Sequence, residues 1–98
     1  MTAWGQLGYY IPAYGILVDT LLARGESGDL AEADAAIARL QAAPAEGSVI
    51  RDIWVLRMRA QVARARGDAG YGELRDRYRE MATSLGFEGH MQWAAAMP

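Results

Sequence analysis

Ninety-eight residues with ten basic and twelve acidic side chains give a net charge of -2 and a pI near 5.3. Such a length suits one domain, which buries roughly two-thirds of its extended surface and leaves a thin stability margin. A weakly acidic balance excludes a polyanion-binding protein, since neutralising phosphates needs clustered positive charge. The absence of cysteine excludes disulfides, thiol nucleophiles and thiolate metal sites.

The basic residues are all arginine, and lysine and asparagine are missing, a pattern expected of a GC-rich genome. Charge is uneven: residues 1–47 sum to -4 and residues 48–98 to +2. Much of the 52% hydrophobic content is alanine. Large anchors such as Trp54, Tyr78 and Leu85 must therefore supply most of the burial energy, at about 25 cal/mol per Å². No basic segment precedes an apolar stretch at the N-terminus, so no secretory signal is expected. The apolar run 11–23 is interrupted by Asp19 and falls short of the ~20 residues a membrane span needs. A cytoplasmic protein is the expectation.

Glycine and proline divide the chain into helical segments. Pro12 suits the first turn of a helix and Gly25 a left-handed stop, which predicts a first helix over about 11–24. Asp29 followed by Glu32 has the spacing of a capping box, and Leu30, Ala33, Ile37 and Leu40 form one stripe of a second helix ending before Pro44. Ser48 is the expected cap of a third helix, which runs to Arg66 and stops at Gly67. That helix carries two stripes, Val49-Ile53-Leu56-Ala60-Ala63 and Trp54-Met58-Val62. Two apolar sides want two neighbours, so it is either a central core helix or a core helix with an interface on its Trp54 side. The fourth helix, 71–85, presents Tyr71, Leu74, Tyr78, Met81 and Leu85 on one side. Its other side is charged, with Glu73 and Arg77 spaced for an ion pair. Gly86 ends it, and a short fifth helix is expected over 88–96.

An internal repeat links these elements. Ile11, Tyr14, Val18, Leu21 and Ala23-Arg24-Gly25 align at an offset of 42 with Ile53, Leu56, Ala60, Ala63 and Ala65-Arg66-Gly67. Leu30, Glu32, Ala33, Ile37 and Leu40 align at 41 with Tyr71, Glu73, Leu74, Tyr78 and Met81. The expected fold is therefore all-α: two stacked antiparallel helix pairs, about 9–44 and 48–86, with a C-terminal helix over 88–96, in one domain. Two repeats are fewer than the three or so of a self-sufficient array, so an apolar end open to a second copy or another partner is expected.

The segments LLARGESGDLAEADAAIARL at 21–40, ARGD at 65–68 and YREMATSLGFEGHMQWAAAMP at 78–98 resemble the C-terminal tetratricopeptide-like helical repeats of actinobacterial multidomain regulators. Those regulators include adenylate cyclase-like ATPases and LuxR-type transcription regulators. The resemblance implies a stand-alone sensor and interaction region of a signalling regulator. The period of about 42 departs from the standard tetratricopeptide unit of 34 residues. No phosphate-loop signature or recognition-helix domain accompanies it.

No residue set with catalytic, cofactor or metal-binding spacing emerges, so a non-enzyme without a cofactor is expected. His90 stands alone, and a surface or half-buried imidazole near Trp93 is its simplest reading. Ser27, Ser48 and Ser84 sit where hydroxyls cap helices. Gly15, in mid-helix, costs about 1 kcal/mol relative to alanine, which a close neighbouring helix or aromatic ring would compensate. Arg57 and Arg64 share one side of the third helix and Arg59 and Arg66 another, spaced for ion pairs to the second and fourth helices or to a partner's acids.

The leading functional expectation is a protein-protein interaction module that self-associates as a homodimer through its open end, with Tyr9, Tyr10, Trp54, Met58 and Val62 as contact residues. The alternative is a small-ligand sensor with Tyr14, Tyr71 and Trp93 lining a groove between helix pairs. Neither reading involves nucleic acid or a membrane.

Overall fold

A left-handed glycine ends each of three helices, and these stops set the architecture. Gly25, Gly67 and Gly86 have φ of 62°, 68° and 70°, a region that favours a residue without Cβ. At Gly25 the amide returns to the Leu21 carbonyl at 3.0 Å. At Gly67 and Gly86 the caps are of Schellman type: Asp68 N–H reaches Ala63 O at 2.9 Å and Phe87 N–H reaches Ala82 O at 3.2 Å.

The computed structural model describes residues 3–42 and 49–98, with side chains described from residue 11 onward. Its helices are α1 (Ala3–Arg24), α2 (Asp29–Ala42), α3 (Val49–Arg66), α4 (Tyr71–Leu85) and α5 (Glu88–Ala96). Each packs on the next, and α1 also touches α3. The result is all-α, two antiparallel pairs stacked side by side with α5 across one end. Its shortest dimension, 18 Å, is that of two helix layers at roughly 10 Å each. Among the described residues no helix is long and apolar enough to cross a membrane.

Burial follows the 42-residue alignment. Ile11, Val18 and Leu21 are buried in α1, as are their counterparts Ile53, Ala60 and Ala63 in α3, while Tyr14 and Leu56 are both half-buried. Ile37 and its counterpart Tyr78 are wholly enclosed. Two clusters result. One joins α1, α2 and α3 through Val18, Leu21, Ile37, Leu40, Met58 and Val62. The other joins α3, α4 and α5 through Ile53, Tyr78, Ala82 and Ala94. Trp54 packs against both.

Three local expectations need correction. The first helix begins at Ala3, with Pro12 inside it. The stripe Ile11-Tyr14-Val18-Leu21 continues backward at helical spacing through Leu7 and Trp4, so the apolar pattern outweighs one missing N–H. Asp29 does not cap forward. Its Oδ1 and Oδ2 accept Arg24 Nη2 and Nε at 2.6 and 3.0 Å, and Oδ2 also accepts the Glu26 amide at 2.9 Å. Glu32 N–H instead donates to Gly28 O at 3.0 Å. This two-pronged bond between a guanidinium and a buried carboxylate ties the end of α1 to the start of α2. Hydrogen bonding to Arg24 holds the Asp29 carboxyl below the usual carboxylate range. Finally, Glu73 and Arg77 form no ion pair among the described residues. The expected Ser48 cap lies outside the described residues.

Candidate functional site

The fold brings an unusual set of side chains to α3. Gly15 in α1 leaves a notch into which Trp54 fits, and a Cβ there would fall 2.6 Å from the Trp54 Cζ3 atom. The aromatic compensation expected for a mid-helix glycine is thus a ring from the second repeat. Beyond Trp54, α5 delivers His90 and Trp93, whose rings lie 5.0 and 5.4 Å from Trp54.

His90 is buried, 8% exposed, and its Nδ1 lies 2.6 Å from the Tyr78 hydroxyl. Trp93, Tyr78 and Phe87 surround it with ring centroids at 5.1, 5.7 and 6.1 Å. Burial, reinforced by the positive charge of Arg57, lowers the His90 pKa. The same burial pushes the Tyr78 hydroxyl up to about 12. Both groups are therefore neutral at physiological pH and share one hydrogen bond, an arrangement that fixes α5 on α4. The sequence placed His90 near Trp93 correctly but missed its enclosure, since Tyr78 twelve residues earlier gives no local sign of pairing with it.

Arg57 borders this box on the outside. Its guanidinium carbon stands 4.4 Å from the centroid of Trp93 and 5.6 Å from that of Trp54, within cation-π range. Its Nη1 is 3.9 Å from Asp19 of α1, a loose pairing, and its Nε has no hydrogen-bond partner. One turn on, Gln61 donates through Nε2 to Asp19 Oδ1 at 2.7 Å, while its buried Oε1 has no partner.

These residues line a groove of about 450 Å³ with Leu22, Arg64, Ala65, Tyr71, Trp93, Ala96 and Met97. Its volume lies in the ~300–1,000 Å³ range of small-molecule sites. Arginines of α4 fix its rim: Arg79 Nε donates to Ala94 O at 2.9 Å, Arg79 Nη2 donates to Met97 O, and Tyr71 Oη and Arg75 Nη1 each donate to Pro98 O at 3.0 Å. Cations thereby sit on carbonyls at and just beyond the C-terminal end of α5, where the helix dipole favours positive charge.

The structure divides the residues expected at a site. Tyr71 and Trp93 line the groove. Tyr14 does not; it packs against the first cluster. Met58 and Val62, expected at an interface, are 0% and 3% exposed within the chain, and Trp54 is half-buried between the clusters. The two-sided helix α3 is thus a central core helix, with neighbours on both stripes and only its first residue, Val49, left exposed. The side chains of Tyr9 and Tyr10 lie outside the described residues. Arg59 and Arg66 bond to Gln41 and Asp34 of α2, as their spacing suggested, whereas Arg57 turns to α1 instead. Asp19, Gln61 and Met97 had not been singled out. Arg57, Gln61 and Arg64 recur at i, i+4 and i+7, which was the available sign of a shared polar line.

No protein-family model matches the chain, and no curated protein or solved structure matches it either.

Proposed function

We propose that the chain is a non-catalytic binding module whose ligand occupies the groove between α1, α3 and α5. The observation that carries this reading is the groove itself, about 450 Å³ with Asp19, Arg57, Gln61 and Arg64 lining it together with Tyr71 and Trp93. Aromatic walls at Tyr71 and Trp93 add apolar contact area beside the polar line. In a cytoplasmic signalling or transcriptional regulator of the kind residues 21–40 and 78–98 resemble, such a module would act as the sensor.

A thermal-shift screen tests the reading. At a hundredfold excess over Kd a ligand stabilises by about 2.7 kcal/mol, which for this size raises Tm by roughly 10 °C or more. The rise should be absent in Trp93→Ala, a change at a residue that is 42% exposed. A shift of equal size in that variant would place the ligand elsewhere and refute the groove.

Protein contact, including homodimer formation, is the second reading. It is favoured by exposed Ile16, Val49 and Ile50, at 67%, 43% and 53%, rather than by the residues first expected. Tm that rises with protein concentration, without any ligand, would support it.

A further inference from the structure

We infer that α5 is an acid-released latch: protonation of His90 detaches this helix from α3 and α4, while the other four helices stay packed on one another.

The seat of α5 is small. The helix has nine residues, of which His90 and Ala94 are buried, so one of its two enclosed side chains is titratable. A two-residue link, Gly86 and Phe87, joins it to α4, and α4 already ends at left-handed Gly86, whose amide donates to the Ala82 and Thr83 carbonyls. The rest of the fold does not depend on α5. It contributes no residue to the cluster that joins α1, α2 and α3, and Ile53, Tyr78 and Ala82 join α3 to α4 directly. Beyond the ring contacts, α5 is held by the hydrogen bonds of Arg79 to Ala94 O and Met97 O and of Tyr71 and Arg75 to Pro98 O. The bonds to Pro98 are exposed and compete with water.

Protonation strikes at the enclosed point. Tyr78 is wholly buried, and among the described residues its hydroxyl has no partner except His90 Nδ1, so in the neutral pair the hydroxyl donates to Nδ1. On an imidazolium both ring nitrogens are donors. Nδ1–H then meets a hydroxyl whose own hydrogen has no other acceptor, and the new charge is enclosed by Trp54, Phe87 and Trp93. The two indoles already carry the Arg57 guanidinium, which repels a second cation. No carboxylate compensates. Asp19 of α1 faces Arg57, while Asp52 of α3, Glu80 of α4 and Glu88 of α5 are exposed to solvent. Arg79 of α4 is turned to the end of α5. Once α5 is released the imidazolium is hydrated, so a proton favours the released state. The lowered pKa of His90 in the seated state, caused by burial and then by Arg57, agrees with this direction.

Because α5 supplies Trp93, Ala96 and Met97 to the groove, release takes away one wall. Acid control of ligand binding rests on the reading of the groove as a site; the latch itself does not.

Amide hydrogen exchange of the full chain at pH 7.5 and 5, followed by NMR and expressed as protection factors, tests the latch without any ligand. An imidazole of ordinary pKa, about 6.5, shifts an opening equilibrium over that interval by at most about thirtyfold. Amides of α5 should lose protection by at least about threefold at pH 5 and should there be at least about tenfold less protected than the buried amides of α2, the mark of a local opening. His90→Gln, which offers Tyr78 a neutral acceptor, and the double variant His90→Phe with Tyr78→Phe should each abolish the fall. Loss of α5 protection at both pH values in both variants, with α2 still protected, would equally assign the seating of α5 to the neutral pair. Equal protection of α5 and α2 overturns the latch, because α5 would then leave only with global unfolding. So does an unchanged α5 between the two pH values, or a fall that persists in either variant. None of these outcomes bears on the thermal-shift screen, so the groove and the latch stand or fall separately.

Discussion

Where α1 and α2 meet α3, the interior is aliphatic: Val18, Leu21, Ala33, Ile37, Leu40, Met58 and Val62 enclose one another. Where α4 and α5 meet α3, the interior is built on Tyr78, buried to 0% exposure and hydrogen-bonded to His90, with Ile53 and two alanines filling the remainder. Equivalent positions of a repeat, Ile37 and Tyr78, thus take up the same place with different physics. Around Ile37 the first region is stabilised by apolar area, which is indifferent to pH. The second depends on a neutral hydrogen bond that protons at either extreme disrupt.

Truncation in the aliphatic region gives the largest effect. Ile37→Ala should cost about 2–5 kcal/mol, the range for a fully enclosed large residue, and urea midpoints should show the same loss at pH 5.5 and 7.5. A loss that differs between those two pH values would remove the contrast between the regions. In the second region Tyr78→Phe keeps the ring but strips His90 Nδ1 of its partner. About 1–3 kcal/mol is expected, and a neutral outcome would mean that the bond adds nothing to the seating of α5.

The smallest effect is the pH dependence. Because the folded state lowers the His90 pKa below 6.5, the unfolded chain binds a proton first as pH falls through 6.5. Stability should therefore be constant just above 6.5 and decline below it until the folded value is reached. His90 is the only histidine, so His90→Phe should abolish the decline between pH 6.5 and 5. The opposite limb follows from Tyr78: with its hydroxyl raised from 10.0 to about 12, stability falls as pH rises between those values. A flat melting temperature from pH 6.5 to 5 in the parent chain would show that His90 is protonated equally well inside.

The sequence was most readable where one periodic signal dominates. Glycines at 67 and 86 and the stripe of α4 gave the bounds of that helix, and the offset of 42 anticipated matching burial at Ile11 and Ile53. It was least readable where a residue's partner is remote. Asp29 sits at the spacing of a forward cap, yet a bidentate arginine five residues earlier is the stronger partner for a carboxylate. Met58 and Val62 form a stripe that serves an interface or a core equally well, and only the arrival of α1 and α2 decides between them. In the groove, Tyr71 and Trp93 were accessible as aromatic residues and Arg57 with Arg64 as a shared face. The bond from Gln61 to Asp19 across α1 and α3 is a fact of tertiary geometry with no local sign in the sequence.

The seating of Trp54 against Gly15 has one more consequence. Helical arrays behave as one-dimensional lattices, in which each unit has its own free energy and each junction adds a nearest-neighbour coupling. Here the junction is a ring from one unit inserted where the other has no side chain, so the coupling runs through Trp54. Excising residues 49–98 would strand that ring with Met58 and Val62 in water, and the fragment should not persist as half of an Ising pair but unfold outright.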